Sequence, residues 1–211
     1  MVDFAVKIVL AYLLGSVSGG LLLGRLRGVD LRTVGSGNAG GTNAIRTQGK
    51  AFGVAVLAID VIKGIVAAGG LPLLPLPFAA SAAFAPWLGV ACAAAAVLGH
   101  VFPVWFGFRG GKGAATLVGV LLVLAPLGLV PVLVVWLVVL TTTGFVGLAT
   151  ILAALAFVAY AFLVPLPLPL EWFAAVMAAF VIFTHRGNIG RLCAGTEHRF
   201  SRVMVLRRRG G

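Results

Sequence analysis

Acidic side chains are scarce in this sequence. There are five Asp and Glu in 211 residues, with three His and two Cys. No group of them has the spacing of a metal site, which argues against a metal enzyme. Cys92 and Cys193 lie far apart in different settings, so no disulfide framework is expected. Both read as reduced thiols, one in a membrane span and one on the cytoplasmic side. A Gly-x-Ser-x-Gly elbow is absent, so no serine nucleophile of that type is at hand. Charge of either sign is sparse: 10% of residues are charged, where a soluble domain has about a quarter. These shortages exclude an ordinary cytosolic enzyme, a disordered tail and a secreted disulfide scaffold.

What fills the chain is apolar: 61% of residues are hydrophobic, and 29 are glycine. Apolar runs of about 18 residues or more recur, the mark of an integral membrane protein. The 16 Lys and Arg leave a net charge of +11. They fall in three clusters: Arg25 to Lys50, Arg109 with Lys112, and Arg186 to Arg209. Only Lys7 and Lys63 stand outside. Short basic loops stay on the cytoplasmic side, so the three clusters share that face. Topology and an anionic small substrate account for the charge, so no nucleic-acid partner is expected.

Parity then gives a topology. Span one covers roughly Phe4 to Gly24, interrupted by Gly15-Ser16-Val17-Ser18-Gly19, small residues suited to helix packing. No Ala-x-Ala cleavage signal follows, so the span is retained. Span two runs from Lys50 to Gly70, and the proline-rich Leu71 to Phe78 is an external turn. Span three runs from about Ala79 to Gly99. The last span runs from about Glu171 to Thr184, after an external turn at Pro165, Pro167 and Pro169. Between Lys112 and Pro165 the chain crosses an odd number of times. Three short crossings fit, with turns at Gly128 to Pro131 and Thr141 to Gly147. The expectation is a single all-α, polytopic membrane domain, residues 1–211, of about seven spans. Its N-terminus lies outside and its C-terminus inside. Five spans is the alternative, with re-entrant material in the middle.

Three polar segments interrupt this apolar background. The first is Gly35-Ser36-Gly37-Asn38-Ala39-Gly40-Gly41-Thr42-Asn43-Ala44-Ile45-Arg46. Its glycines let the main chain curl and approach a ligand closely, and successive N–H groups in a curl form an anion nest. Thr42 and Arg46 share a helix face. The literal Gly-x-Gly-x-x-Gly has no strand before it, so it is no dinucleotide site. The second runs from Gly99-His100 to Gly110-Gly111-Lys112-Gly113. It is not a Walker A loop, because Phe106 and Gly113 stand where Gly and Ser or Thr are required. It does hold a lysine on a glycine turn at a helix start, where anions are favoured. The third holds His185, Asn188 and Arg191, with His185 and Asn188 on one face if the helix continues. The plainer readings are a flexible loop, a topology determinant and a basic juxtamembrane tail. The tail reading is preferred for Arg207, Arg208 and Arg209. Asp60 and Lys63 form an i,i+3 pair inside span two, equally suited to a structural ion pair or a ligand contact.

Taken together, the three segments resemble the bacterial acyl-phosphate:glycerol-3-phosphate acyltransferases over nearly the whole chain. The carriers are Gly35-Ser36-Gly37-Asn38 with Thr42, Asn43 and Arg46; Gly99-His100, Phe102-Pro103 and Gly110-Gly111-Lys112-Gly113; and His185-Arg186, Asn188-Ile189 and Arg191-Leu192. Asp60, Lys63 and Gly64 also match. The resemblance implies seven spans and acyl transfer at the cytoplasmic face of the bacterial inner membrane. Acyl-phosphate would acylate the 1-hydroxyl of glycerol 3-phosphate, giving lysophosphatidic acid and phosphate. No cofactor, metal or obligate protein partner is implied. The His-x-x-x-x-Asp of thioester-dependent acyltransferases is absent: none of His100, His185 and His198 has Asp five residues on. Two departures stand out. Gly41 replaces a frequent Ala. Thr143-Gly144-Phe145-Val146-Gly147 lacks the family's Arg-Tyr and Ser, so a donor-side contact is either lost or moved to Thr150.

The chemistry requires two phosphates held close together. Ser36, Arg46 and Lys112 are the first candidates for this, with Asn188 and His185 beside them. Ser36, Lys112, His185 and Asn188 form the expected catalytic set. Gly37, Asn38, Thr42, Asn43, Gly110, Gly111, Gly113, Thr150 and Arg191 are expected to bind substrate. Alignment of hydroxyl and carbonyl supplies part of the rate, and cations with N–H groups stabilise the oxyanion and leaving phosphate. The base is either His185 or the donor's own phosphate. A transporter for an anionic phosphorylated solute is the rival reading. A lipid phosphotransferase would need clustered acids and a metal. A purely structural subunit is the weakest alternative.

Overall fold

Long apolar stretches leave the backbone no partner but itself in lipid, and the helix satisfies it within one segment. Every regular element among the described residues is accordingly helical. A computed structural model describes residues 1–79 and 82–205. The basic tail at Arg207, Arg208 and Arg209 lies outside the described residues. The chain divides into two compact units, Met1–Ala125 and Pro126–Gly211.

The first unit holds α1 (Val2–Gly15), α2 (Gly19–Leu26), α3 (Gly41–Gln48), α4 (Lys50–Ile65), α5 (Leu71–Leu73), α6 (Ala85–Val101) and α7 (Ala114–Leu124). A π-helical stretch, Val66–Gly70, joins α4 to α5, so that Lys50–Leu73 is one apolar helix of 24 residues. The break expected at residues 15–19 is present, and α1 and α2 meet at 46°. The third apolar segment becomes α-helical only at Ala85, later than the sequence suggests.

Lipid tails are as apolar as leucine, so membrane helices associate through close packing of small residues. Gly15 of α1 lies on the Ala96 carbonyl of α6, and Gly99 of α6 lies on the Tyr12 carbonyl of α1. Neither site has room for a methyl group. Gly64 and Gly119 bring α4 and α7 together in the same way. The core beside them is Ala11, Ala67, Cys92, Ala95 and Ala96. One ion pair was not anticipated: Lys7 meets Asp3 at 3.1 Å, both buried, and donates to the Pro72 carbonyl.

The second unit holds α8 (Leu129–Thr143), α9 (Val146–Leu163), α10 (Leu168–Thr184) and α11 (Arg186–Cys193). Its larger apolar side chains face outward, as Val130, Leu133, Val134, Leu137 and Val138 do on α8. The α8–α9 turn is Gly144-Phe145, with Gly144 left-handed at φ 75°. The backbone after α11 closes over this turn, Phe200 donating to the Gly144 carbonyl and Val205 to the Thr141 carbonyl. The helix does not continue through His185: α10 and α11 meet at 56°.

Among the described residues three helices are long and apolar enough to cross a membrane, or up to five if each bent pair counts as one span. The helices α7 and α8 are apolar but have 11 and 15 residues. At 1.5 Å per residue they reach only about 16 and 22 Å, short of a hydrocarbon core of about 30 Å.

Candidate active site

The first polar segment wraps around one carboxamide. Asn43, on the first turn of α3, is 1% exposed. Its Nδ2 donates to the carbonyls of Leu31 (2.9 Å), Val34 (3.0 Å) and Asn38 (2.9 Å). Its Oδ1 accepts the Ser36 N–H at 2.9 Å. Gly35 and Gly37 are left-handed, at φ 59° and 70°, a region glycine enters without penalty. The resulting curl turns inward: the Gly37 N–H bonds the Val34 carbonyl. Two amides expected in an anion nest therefore serve the loop itself. Ser36 and Gly37 are exposed, and Asn38, Thr42 and Arg46 are half-buried. Gly41 sits against Leu57 of α4, where the family's Ala would press on that side chain.

An Asp–Arg pair binds this loop to the second polar segment. Arg32 grips Asp30 through Nε (2.9 Å) and Nη2 (2.7 Å). Its Nη1 donates to the carbonyls of Phe106 (2.9 Å) and Arg109 (3.2 Å). The guanidinium holds the Asp30 carboxyl below the ordinary carboxylate value, and Asp30 raises Arg32 in turn. A pocket of about 310 Å³ opens here, walled by Leu21, Arg25, Val29, Asp30, Arg32 and Phe106. Arg25 lies over the Phe106 ring at 4.5 Å. Ser36, Arg46 and Lys112 do not line this pocket.

The second segment folds back on the end of α6. Gly110 donates to the Val101 carbonyl and Gly111 to the His100 carbonyl. Gly111 also lies against Nε2 of the His100 ring, and Gly110 against the His100 carbonyl. Lys112 follows, half-buried, and Gly113 caps α7 at φ 88°. The expected lysine on a glycine turn at a helix start is thus present.

Beneath both loops lies a buried charged cluster. Lys63 and Asp60 meet at 2.9 Å, with side chains 3% and 1% exposed. The Lys63 ammonium also donates to the carbonyls of Gly15 and Val17 at 2.9 Å and lies 2.9 Å from His100 Nδ1, which is itself 3.3 Å from Asp60 Oδ1. Asp60 accepts the Gly19 N–H at 3.1 Å. Of the two readings left open by the sequence, this geometry is that of a structural ion pair.

In the second unit, His185 is 4% exposed and Asn188 6%. His185 Nδ1 donates to the Val181 carbonyl at 2.8 Å, which leaves Nε2 as the acceptor of the ring. Asn188 donates to Glu197 at 2.6 Å, and Arg191 donates to the other oxygen of Glu197 at 2.7 Å. Gly147 lies directly under the Asn188 side chain. Thr150 sits between helices, donating to the Val146 carbonyl and accepting Trp136 Nε1.

The family can now be tested. The profile of the glycerol-3-phosphate acyltransferase family matches residues 5–195. The chain belongs to the glycerol-3-phosphate acyltransferase family. A glycerol-3-phosphate acyltransferase of Aquifex aeolicus is 40% identical over 193 residues, covering 92% of this chain and 97% of that one. One of Bacillus velezensis is 43% identical over 194 residues, covering 92% and 95%. Among solved structures, an integral membrane glycerol 3-phosphate acyltransferase, PlsY, in its glycerol 3-phosphate form superposes with a TM-score of 0.82. It is 37% identical and covers 93% of this chain and 95% of that one. Its lysophosphatidic acid form gives 0.81 at 36% identity, covering 95% and 97%. The chain is therefore a membrane-integral acyltransferase, as the resemblance implied.

For this glycerol-3-phosphate acyltransferase the sequence missed three contributors. Asp30 and Arg32 join two loops 74 residues or more apart in sequence, and only the Asp-x-Arg spacing hints at their pairing. Glu197 closes the third polar segment, and the sequence assigns it no role. Gly147 lay in the stretch that departs from the family, yet it is the seat of Asn188.

Proposed function

We propose that the protein transfers a fatty acyl group from acyl-phosphate to the 1-hydroxyl of glycerol 3-phosphate. The hydroxyl oxygen bonds to the acyl carbon, the carbon–oxygen bond to phosphate breaks, and the hydroxyl proton passes to a base. Lysophosphatidic acid and inorganic phosphate leave. The observation that carries this reading is the pair of bonds from Arg32, just before the Ser36–Arg46 loop, to the Phe106 and Arg109 carbonyls, just before the Lys112 turn. It gives one unit a cationic, glycine-lined surface suited to phosphate groups.

In this reading Ser36, Arg46 and Lys112 hold the phosphates. Gly37, Asn38, Thr42, Gly110, Gly111 and Gly113 let the backbone approach them, and Asn43 keeps the loop in shape. Cations near the acyl carbon stabilise the developing oxyanion and the departing phosphate. In the second unit, His185 takes the hydroxyl proton at Nε2, oriented by its Nδ1 bond to Val181. Asn188 directs the hydroxyl, with Glu197 and Arg191 fixing its amide. Thr150 contributes from α9. The catalytic face is cytoplasmic, in a bacterial inner membrane. The bent and short helices together make seven passes, and the protein works without an obligate protein partner.

The test is phosphate release by the purified protein in lipid, with palmitoyl phosphate as donor and no added metal. Release that requires glycerol 3-phosphate and yields lysophosphatidic acid is the expected result. Release independent of the acceptor, or none, overturns the reading. His185→Ala is expected to lose roughly 100-fold or more of kcat, the usual contribution of a general base.

A further inference from the structure

The buried cluster under the two loops has a geometry that a simple ion pair does not need. The helix break at Ser16–Ser18 leaves carbonyls at the end of α1 and N–H groups at the start of α2 without intrahelical partners, a costly state inside a membrane. Lys63 supplies protons to the Gly15 and Val17 carbonyls, and Asp60 accepts from the Gly19 N–H. One residue of the pair thus caps the helix that ends, and the other caps the helix that begins. Both are one turn apart on α4, so their spacing fixes the 46° bend between α1 and α2. That bend sets where α2 lies, and Gly20 of α2 rests on the Ala39 carbonyl of the first polar loop.

The same ammonium reaches a third element. It lies 2.9 Å from His100 Nδ1, and Asp60 Oδ1 lies 3.3 Å from the same ring nitrogen. The opposite edge of that ring is where Gly111 packs, and the His100 carbonyl takes the Gly111 N–H. Lys112 is the next residue. His100 is fully enclosed, at 2% exposure, and touches the turn rather than any solvent-facing surface.

We infer that Asp60, Lys63 and His100 form one buried positioning device that sets the Lys112 turn relative to the Ser36–Arg46 loop. None of the three is a catalytic residue. They act through the two loops, by holding a broken helix and a histidine ring on one ammonium. This rests on the acyl-transfer reading for its kinetic test but not for its structural one.

The decisive comparison is His100→Leu against His100→Asn, with Lys63→Met as a second break in the chain of contacts. Asn places a carboxamide where Nδ1 stood, so it retains a polar contact with the Lys63–Asp60 pair. Leu fills the space without it. For His100→Leu, the KM of at least one phosphate-bearing substrate rises about tenfold or more, while kcat changes by less than about threefold. This is the pattern of lost ground-state binding. His100→Asn stays within about threefold of the parent in both constants. A merely destabilised protein would show a smaller active fraction, hence lower kcat at unchanged KM, and that result overturns the inference. The second arm is limited trypsin digestion in detergent, read by mass at Arg109 and Lys112. Cleavage there is faster in His100→Leu and Lys63→Met than in the parent and His100→Asn. Equal protection in all four proteins overturns the inference, whatever the acyl donor proves to be. If the parent shows this protection pattern but no acyl transfer, the device stands and the proposed reaction falls.

Discussion

At the carboxamide of Asn43, three carbonyls and one N–H converge within 3.0 Å. A buried polar group left without partners costs about 1–3 kcal/mol. Removing this amide strips partners from several groups together. Asn43→Ala is therefore expected to open the loop, seen as tryptic cleavage at Arg32 and at least a tenfold loss of activity. Asn43→Asp is nearly isosteric but no safer. It keeps the acceptor for Ser36 and turns an anion on three carbonyl oxygens, so its loss matches or exceeds that of Ala. Recovery of activity in Asn43→Asp would show that the Ser36 N–H is the only bond that matters. In the second unit, Glu197 takes the same position for Asn188 and Arg191. Glu197→Gln keeps an acceptor for Asn188 and loses the ion pair, whose Arg191 is 44% exposed. Exposed pairs contribute little, so Glu197→Gln is expected to retain most of the kcat and Glu197→Ala to lose roughly tenfold, about the effect of one charged hydrogen bond. Equal rates in the two variants would remove Glu197 from the orientation of Asn188. Residues such as Ser36, Lys112 and His185 were legible in the sequence because polar groups stand out among apolar neighbours. The roles of Asn43 and Glu197 were not, because an inward-facing amide and an outward-facing one read alike.

Helices and loops follow the same logic one scale up. The α1–α2 break was legible, since Gly-Ser-Val-Ser-Gly interrupts a leucine-rich run. So were the turns near Gly128, where a side chain would strike Phe157, and at Gly144, which is left-handed. The bend at His185 was not legible, because nothing in Thr184-His185-Arg186 forbids a helix. Nor was the Arg32 strut, whose acceptors are backbone carbonyls with no sequence signature. That strut yields a prediction in two parts. Lysine cannot reproduce the fork that holds a carboxylate and two carbonyls together. Arg32→Lys should therefore behave like Arg32→Ala, with activity at low glycerol 3-phosphate reduced by about tenfold for the lost bonds. Parent-like activity in Arg32→Lys would reduce the strut to a surface ion pair. The second part concerns pH. Arg32 lowers the Asp30 pKa in the folded protein. The stabilising contribution of the pair is thus present above the ordinary carboxylate value and fades only as pH falls through the lower, folded value. The strut therefore stays closed between pH 5 and 9, and the pH–rate profile over that range is the same in the parent and in Arg32→Ala apart from its height. A new acid limb above pH 5 that is absent from Arg32→Ala would contradict this.

For the whole molecule, the arrangement of apolar and polar groups is the reverse of a soluble domain. Glycine and alanine line the helix contacts, and leucine and valine face out toward lipid. The buried charges Asp3–Lys7 and Asp60–Lys63, the latter with His100 beside it, are paired within the helices. Helix lengths alone give three to five spans. The positive-inside rule requires an odd number of passes between Lys112 and Pro165, and three short crossings there make seven the proposed total, with five the alternative. The two native cysteines decide the orientation without any new mutation. Cys92 is buried in α6 and Cys193 is exposed at the end of α11. Burial holds the Cys92 side chain away from an aqueous reagent, so labelling by a membrane-impermeant maleimide reports on Cys193. With the C-terminus inside, intact spheroplasts leave Cys193 unlabelled, and inverted inner-membrane vesicles label it fully; Cys193→Ser abolishes the signal in the vesicles. Labelling in intact spheroplasts would put the His185 segment on the outer face. An acyltransferase so oriented would meet no cytoplasmic glycerol 3-phosphate, and the proposed sidedness would fall with it.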